Sequence, residues 1–161
     1  MFEVYIGLGS NLMNPEEQIR QARIAISKQA DIIEIDFSSL YASSPMGPQD
    51  QPDYVNAVMR VKTGLSAIEL LRVLQEIENN QGRVRKGERW GARTLDLDLL
   101  LYADQQVDTP DLIVPHAGLS ERAFVLYPLQ EIAPDNLFVP GRGALKQLVA
   151  QCPLDGLEKL V

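Results

Sequence analysis

Three observations predict an α+β fold with an antiparallel sheet. Two stretches, Asn14 to Gln29 and Ser66 to Gly82, carry apolar residues at helical spacing. Four others, around Val4, Ile33, Val55 and Leu97, read as strands from alternation or short apolar runs. Their order along the chain is β-α-β-β-α-β.

The first strand is "EVYIGLG". Its Gly7 and Gly9 read as close backbone packing or a tight strand exit, because "GLGSN" lacks the lysine of a phosphate loop and the spacing of a dinucleotide fingerprint. In "NPEEQIRQARIAISKQ", Asn14 is a candidate cap and Pro15 suits the first helical position. Glu16 and Glu17 suit the positive end of the helix dipole, and Ile19, Ala22 and Ile26 share one face.

"DIIEIDFSSLYAS" is predicted as one strand, with Ile33, Ile35 and Phe37 on one side and Glu34, Asp36 and Ser38 on the other. "SSPMGPQDQPD" then reads as a loop of restricted backbone. "YVNAVMRVKT" is the third strand: Val55, Ala57, Met59 and Val61 share one face, Tyr54 and Asn56 the other. Ser66 with Glu69 three residues later is a capping box for the second helix, and Gly82 suits its stop. An Arg- and Gly-rich loop leads into the fourth strand, "RTLDLDLLLY". This order predicts a ferredoxin-like core with both helices on one face of the sheet. The other face is left for a ligand or for a C-terminal extension of short strands and two short helices, "SERAFVLYPLQEI" and "GALKQLVAQC".

Composition narrows the function classes. The 161 residues suit one domain, 1–161, and are 45% hydrophobic and 23% charged. No apolar run is long enough for a bilayer, and "MFEVYIGLGSN" carries no basic leader, so a cytoplasmic protein without membrane contact is expected. One cysteine and one histidine argue against a Cys/His zinc site. A net charge of −7 argues against nucleic acid. Against that background "RVRKGERWGAR" stands out, with five basic residues and only Glu88 opposing them. Most charge runs are solvated surface. A compact anion such as a phosphate group is the functional reading.

Asp96 and Asp98 are two apart on a strand, on one side, roughly 6–7 Å apart. Carboxylates so placed repel unless a cation or a shared proton lies between them. An isolated D-x-D is more often the wet side of an amphipathic strand. Here the basic loop runs straight into the strand, and cations beside an acid pair make sense around a polyphosphate. The pair can hold one or two Mg²⁺. Leu95, Leu97 and Leu99 would be the apolar backing, with packing resuming at Leu100 on the aspartates' side. A mobile basic loop can close over a nucleotide. A lone histidine such as His116 is more often structural than catalytic.

Taken together these segments resemble the 6-hydroxymethyl-7,8-dihydropterin pyrophosphokinase family of folate biosynthesis. "RWGARTLDLDLLLY" carries most of the resemblance, and "YIGLGSNL", "GPQDQPDYVNAV", "QGRVRKGERWG", "VPH" and "RAFVLYPLQEIAP" follow the family in order up to Asp135. The resemblance implies transfer of the β,γ-pyrophosphoryl group of ATP to 6-hydroxymethyl-7,8-dihydropterin, assisted by two Mg²⁺. It implies metal binding by Asp96 and Asp98, and steadying of the transferred group by Arg83 and Arg93. It implies a nucleotide site of Gln75, Glu78, Arg85, Trp90, Arg93, Leu99, His116 and Arg122. The pterin pocket it implies is Ser43, Ser44, Met46, Tyr54, Asn56, Trp90 and Phe124.

The residues agree with these assignments. Tyr54 and Asn56 share a strand face, an amide offers donor and acceptor to a pterin edge, and Gln75 and Glu78 are i, i+3 on a helix. Ordinary core packing is the plain alternative for Tyr54 and Phe124. Ala117 and Asp111 depart from the family pattern, where an aromatic and a basic residue are common. The expectation is a monomer acting on ATP and the pterin alcohol. A two-metal nucleotide hydrolase and a non-catalytic nucleotide-binding ferredoxin-like module are the rivals.

Overall fold

The computed structural model describes residues 1–43, 53–82, 94–154 and 156–160. The core elements are β1 (Phe2–Ser10), α1 (Pro15–Ser27), β2 (Ile32–Phe37), β3 (Tyr41–Ser43), β4 (Tyr54–Thr63), α2 (Ala67–Gly82) and β5 (Leu95–Tyr102). A ribbon of β6 (Val107–Asp108) and β7 (Ile113–Val114) follows, then a 3₁₀ turn (Leu119–Glu121) and α3 (Ala123–Ile132). The hairpin of β8 (Phe138–Val139) and β9 (Gly143–Ala144), α4 (Leu145–Ala150) and β10 (Glu158–Lys159) complete the chain. Among the described residues no helix is long and apolar enough to cross a membrane.

The main sheet runs β10-β3-β4-β1-β5, with β2 also on β4, and every pairing is antiparallel. The order β5-β1-β4-β2 with intervening helices is the ferredoxin-like arrangement. Ile19, Ala22 and Ile26 of α1 and Leu70 and Leu74 of α2 form one core with Val4, Ile6, Leu8, Met59, Val61, Leu97 and Leu99. Both helices therefore cover one face, as expected from the apolar stripes. The opposite face carries a second core, in which Tyr5, Val58, Leu100 and Leu101 meet Leu126 and Leu129 of α3 and Leu145 of α4. The C-terminal extension thus covers part of the face that the βαββαβ core leaves open.

The capping box forms as expected: Ser66 N–H donates to Glu69 Oε1 at 2.8 Å, and Glu69 N–H to Ser66 Oγ at 3.2 Å. The expected Asn14 cap does not. Asn14 is left-handed (φ 55°) with no side-chain cap, and serves α1 through its carbonyl, which accepts from Gln18 N–H at 3.0 Å.

The predicted strand over residues 31–43 is two strands on the same edge of β4, β2 opposite its second half and β3 opposite its first. The break is at Ser38, whose hydroxyl accepts from Val58 N–H at 2.9 Å and donates to Ser39 O at 2.8 Å. A side chain there takes a main-chain role in the ladder. The alternation within β2 also shifts. A bulge between Glu34 and Asp36 puts Phe37 opposite Met59 on the helix side, under the Arg23 guanidinium at 4.2 Å. Ile33 and Ile35 are exposed, and Ile32 is the buried residue of the strand.

The C-terminal elements are tied to the sheet edge by Glu131 of α3. Its carboxylate accepts from Tyr41 Oη at 2.7 Å and from Ser39 N–H and Oγ at 3.0 and 2.8 Å. β10 then pairs with Tyr41 and Ala42. The bulge yields a direct check by urea unfolding. Ile32→Ala should cost about 3 kcal/mol, as for a buried large-to-small change, and Ile35→Ala should stay within about 0.5 kcal/mol.

Candidate active site

β4, β1 and β5 lie side by side, and their register sets the site. Asn56, Gly9 and Asp96 are cross-strand neighbours in line, and so are Val58, Gly7 and Asp98. Both rows face away from the helices. Since β1 contributes only glycines here, a trough runs between the amide on β4 and the carboxylates on β5. A Cβ on Gly9 would stand 3.0 Å from Asn56 Oδ1, and one on Gly7 3.4 Å from Leu100. The two glycines are therefore the floor of a cleft, beyond the backbone packing expected of them.

That cleft has a volume of about 180 Å³, with Ser43, Tyr54, Asn56, Asp96, Asp98, Arg122 and Phe124 in its wall. Seven residues named from the sequence are thus brought together. Ser44, Met46, Arg83, Arg85, Trp90 and Arg93 lie outside the described residues. On the β4 side of the cleft, Asn56 Nδ2 donates to Ser43 Oγ at 2.8 Å, which turns its Oδ1 toward Gly9 and the trough. Phe124 is half-buried opposite, with the Arg122 guanidinium carbon 5.7 Å from its ring centre. Arg122 also lies flat against Gly118, where a Cβ would come within 2.6 Å of Nε. Glycine at 118 gives the guanidinium its seat.

Thr94 joins the two halves and was not foreseen. Its hydroxyl donates to Asp96 Oδ2 at 2.9 Å, so the 3.1 Å contact with Tyr54 Oη uses the tyrosine as donor. Asn11 holds Thr94 in place, with Thr94 N–H donating to Asn11 Oδ1 at 2.8 Å and Asn11 N–H to Thr94 O at 3.2 Å. The line Tyr54–Thr94–Asp96 links the aromatic wall to the acid pair.

The acids are electrostatically strained. Burial in the concave wall pushes the Asp96 carboxyl above its usual range and Asp98 adds to this, while the Thr94 hydrogen bond and Arg122 pull it down. Burial also raises Asp98, against the attraction of His116 and Arg122. Glu78 of α2 reaches the outer edge of β5 and accepts Leu97 N–H at 2.6 Å. Burial, together with the two aspartates, pushes it up from 4.5 to about 7 despite that hydrogen bond. Among the described residues no three or more Cys, His, Asp or Glu side chains form a metal cage. A mutually repelling pair of carboxylates on an accessible cleft wall fits a hard divalent cation that takes its other oxygens from water and phosphate.

Of the expected nucleotide residues, Glu78 and His116 stand beside β5. His116 Nε2 lies 3.9 Å from Asp98 Oδ1. Gln75 is further along α2, where its Oε1 accepts from Arg72 at 2.9 Å, and Arg72 also pairs with Asp111 at 3.2 Å. Leu99 stands apart from this group, its side chain buried in the helix-side core, so only its main chain faces the edge.

Comparison with known proteins bears on the family and the fold. Residues 5–134 match the family described as 7,8-dihydro-6-hydroxymethylpterin-pyrophosphokinase (HPPK). A 2-amino-4-hydroxy-6-hydroxymethyldihydropteridine pyrophosphokinase of Pseudomonas aeruginosa is 50% identical over 157 residues, which is 98% of this chain and 96% of that protein. A protein of the same name from Haemophilus influenzae is 50% identical over 151 residues, 94% of this chain and 93% of its own. In fold, the chain resembles the crystal structure of Plasmodium falciparum HPPK-DHPS wild type with pteroate, at a TM-score of 0.72 and 13% identity. That likeness covers 93% of this chain but only 42% of the longer Plasmodium chain, and it speaks to the fold alone. The family match takes in every strand and helix that builds the cleft, and the chain belongs to the 7,8-dihydro-6-hydroxymethylpterin-pyrophosphokinase family.

Proposed function

We propose that this chain transfers the β,γ-pyrophosphoryl group of ATP to the hydroxymethyl group of 6-hydroxymethyl-7,8-dihydropterin, releasing AMP, as a step of folate biosynthesis. The observation that carries the reading is one cleft in which a ring-sized slot, Tyr54, Asn56 and Phe124, adjoins an acid pair, Asp96 and Asp98. A flat heterocycle over the glycine trough places its side-chain alcohol toward the acids. Asn56 and Ser43 meet its polar edge, and Phe124 covers its face.

Asp96 and Asp98 would hold Mg²⁺. When bound, the metal neutralises phosphate charge and orients the polyphosphate. We take His116 and Arg122 as residues that meet the phosphates, and the family resemblance implies that Arg83 and Arg93 steady the transferred group. The alcohol oxygen attacks the β-phosphorus, the bond from that phosphorus to the bridging oxygen of AMP breaks, and the alcohol proton is released. The protein's part is alignment and charge placement. The whole of 1–161 is taken as one such domain, acting as a cytoplasmic monomer.

Product analysis tests this reading. ATP, Mg²⁺ and the pterin alcohol should give AMP and the pterin diphosphate, whereas ADP, or ATP loss without pterin, overturns it. Asp96→Asn and Asp98→Asn should each lower kcat about a thousandfold or more with the melting temperature kept. Gly9→Val should fill the trough and weaken pterin binding at least about tenfold while leaving nucleotide binding in place, measured by calorimetry.

Glu78 sets a pH dependence. Its raised value means that the folded protein keeps a proton the unfolded chain has already lost, so stability falls as pH rises from 4.5 to about 7. Glu78→Gln should reduce the loss of urea stability between about pH 5 and pH 8 by on the order of 2 kcal/mol.

A further inference from the structure

The hairpin between β8 and β9 lies outside the βαββαβ core, yet one of its side chains reaches back to the site. Its turn closes through Arg142 N–H donating to Val139 O at 2.9 Å. Gly141 at the tip has φ 76°, and a Cβ there would come within 2.6 Å of the Gln106 amide nitrogen. Glycine thus lets the tip close against the segment that follows β5.

From that tip the guanidinium of Arg142 spans the segment carrying His116. Its Nη1 donates to Ser120 Oγ at 2.7 Å, and its Nη2 to the carbonyls of Pro115 at 3.3 Å and His116 at 3.1 Å. The His116 carbonyl also accepts Leu119 N–H at 3.0 Å. The segment is also tied to β5 by His116 N–H, which donates to Leu100 O at 3.0 Å. Within it Gly118 N–H donates to His116 Nδ1 at 3.1 Å. That bond makes Nδ1 an acceptor and leaves Nε2 as the ring atom directed at Asp98, 3.9 Å away.

A planar fork with two nitrogens on three oxygens suits this task, and a single ammonium does not reproduce it. We propose that Arg142 is a positioning residue: its guanidinium, planted on Ser120 and on the Pro115 and His116 carbonyls, holds the His116 ring beside Asp98 on the nucleotide side of the cleft. The proposal rests on the functional reading above for what His116 then binds.

His116 is the only histidine, so its ring signals in an NMR spectrum need no assignment. Two measurements on Arg142→Ala, Arg142→Lys and the unaltered protein make the test. The first is ring motion of His116 by carbon relaxation. The second is calorimetric affinity for Mg²⁺ with a non-hydrolysable ATP analogue, and separately for 6-hydroxymethylpterin. In Arg142→Ala the ring should become mobile and nucleotide affinity should fall about tenfold, with pterin affinity within about twofold. Arg142→Lys should recover part of both losses. Unchanged ring motion overturns the proposal whatever the affinities. A nucleotide affinity within about twofold, or an equal fall for both ligands, overturns it as well. If the unaltered protein binds no nucleotide, the functional reading fails, and ring motion alone still decides whether Arg142 holds His116.

Discussion

The site depends on the register of three antiparallel strands. Side chains alternate sides along a strand, so slipping β5 by one residue against β1 would turn Asp96 and Asp98 into the helix-side core and bring Leu97 and Leu99 out. Burying two carboxylates among leucines is prohibitive, and this locks the register as firmly as the apolar packing does. The same pairing fixes Asn56 across Gly9 from Asp96. The distance from amide to acid is therefore two inter-strand spacings, roughly 10 Å, enough for a flat ring system. Leucine packing on one face acts directly on chemistry at the other.

The second face of the sheet has two uses along its length. Toward Tyr5, Leu100 and Leu101 it is packed under α3 and α4, and toward Gly9, Asn56 and Asp96 it is open. A bulge in the β1–β5 pairing between Tyr5 and Ile6 marks the transition, which lets Leu100 and Leu101 both enter the α3 core. α3 also contributes Phe124 and Val125 to the rim of the cleft. Its other end is held by Glu131 against Ser39 and against Tyr41 of β3, the strand that carries Ser43. The extension closes a core, anchors a sheet edge and supplies one wall of the site.

Much of this was legible in the sequence, for a physical reason. Where a property repeats with the element's own period, as in Val55, Ala57, Met59 and Val61 or in Leu95, Leu97 and Leu99, the pattern reports the burial directly. The Ser66–Glu69 box is equally local. The misses are where position depends on a distant partner. The bulge at Ile35 changes the phase without changing composition, and Ser38 breaks the strand through a bond to Val58. Asn14 is a favoured capping residue by type, but its backbone is left-handed. Gly7 and Gly9 gain their role from what stands on β4 and β5. Thr94 and Arg142 act through bonds to residues far along the chain, which no periodicity reveals.

The charge pattern follows from the same geometry. In a chain of net charge −7, Asp96, Asp98 and Glu78 are crowded at one edge strand, and all three are pushed toward their protonated forms. Ionised together, these carboxyls repel one another. A divalent cation bound with a polyphosphate would reverse the sign of that interaction, because the carboxylates then face positive charge in a partly desolvated wall. Arg122 lies on its glycine seat, and the His116 ring stands beside Asp98. Tyr54 and Thr94 link the aromatic wall of the cleft to the Asp96 carboxylate through two hydrogen bonds. Acid pair, Arg122 and hydrogen-bonded link belong to one arrangement, which the register of β4, β1 and β5 holds in place.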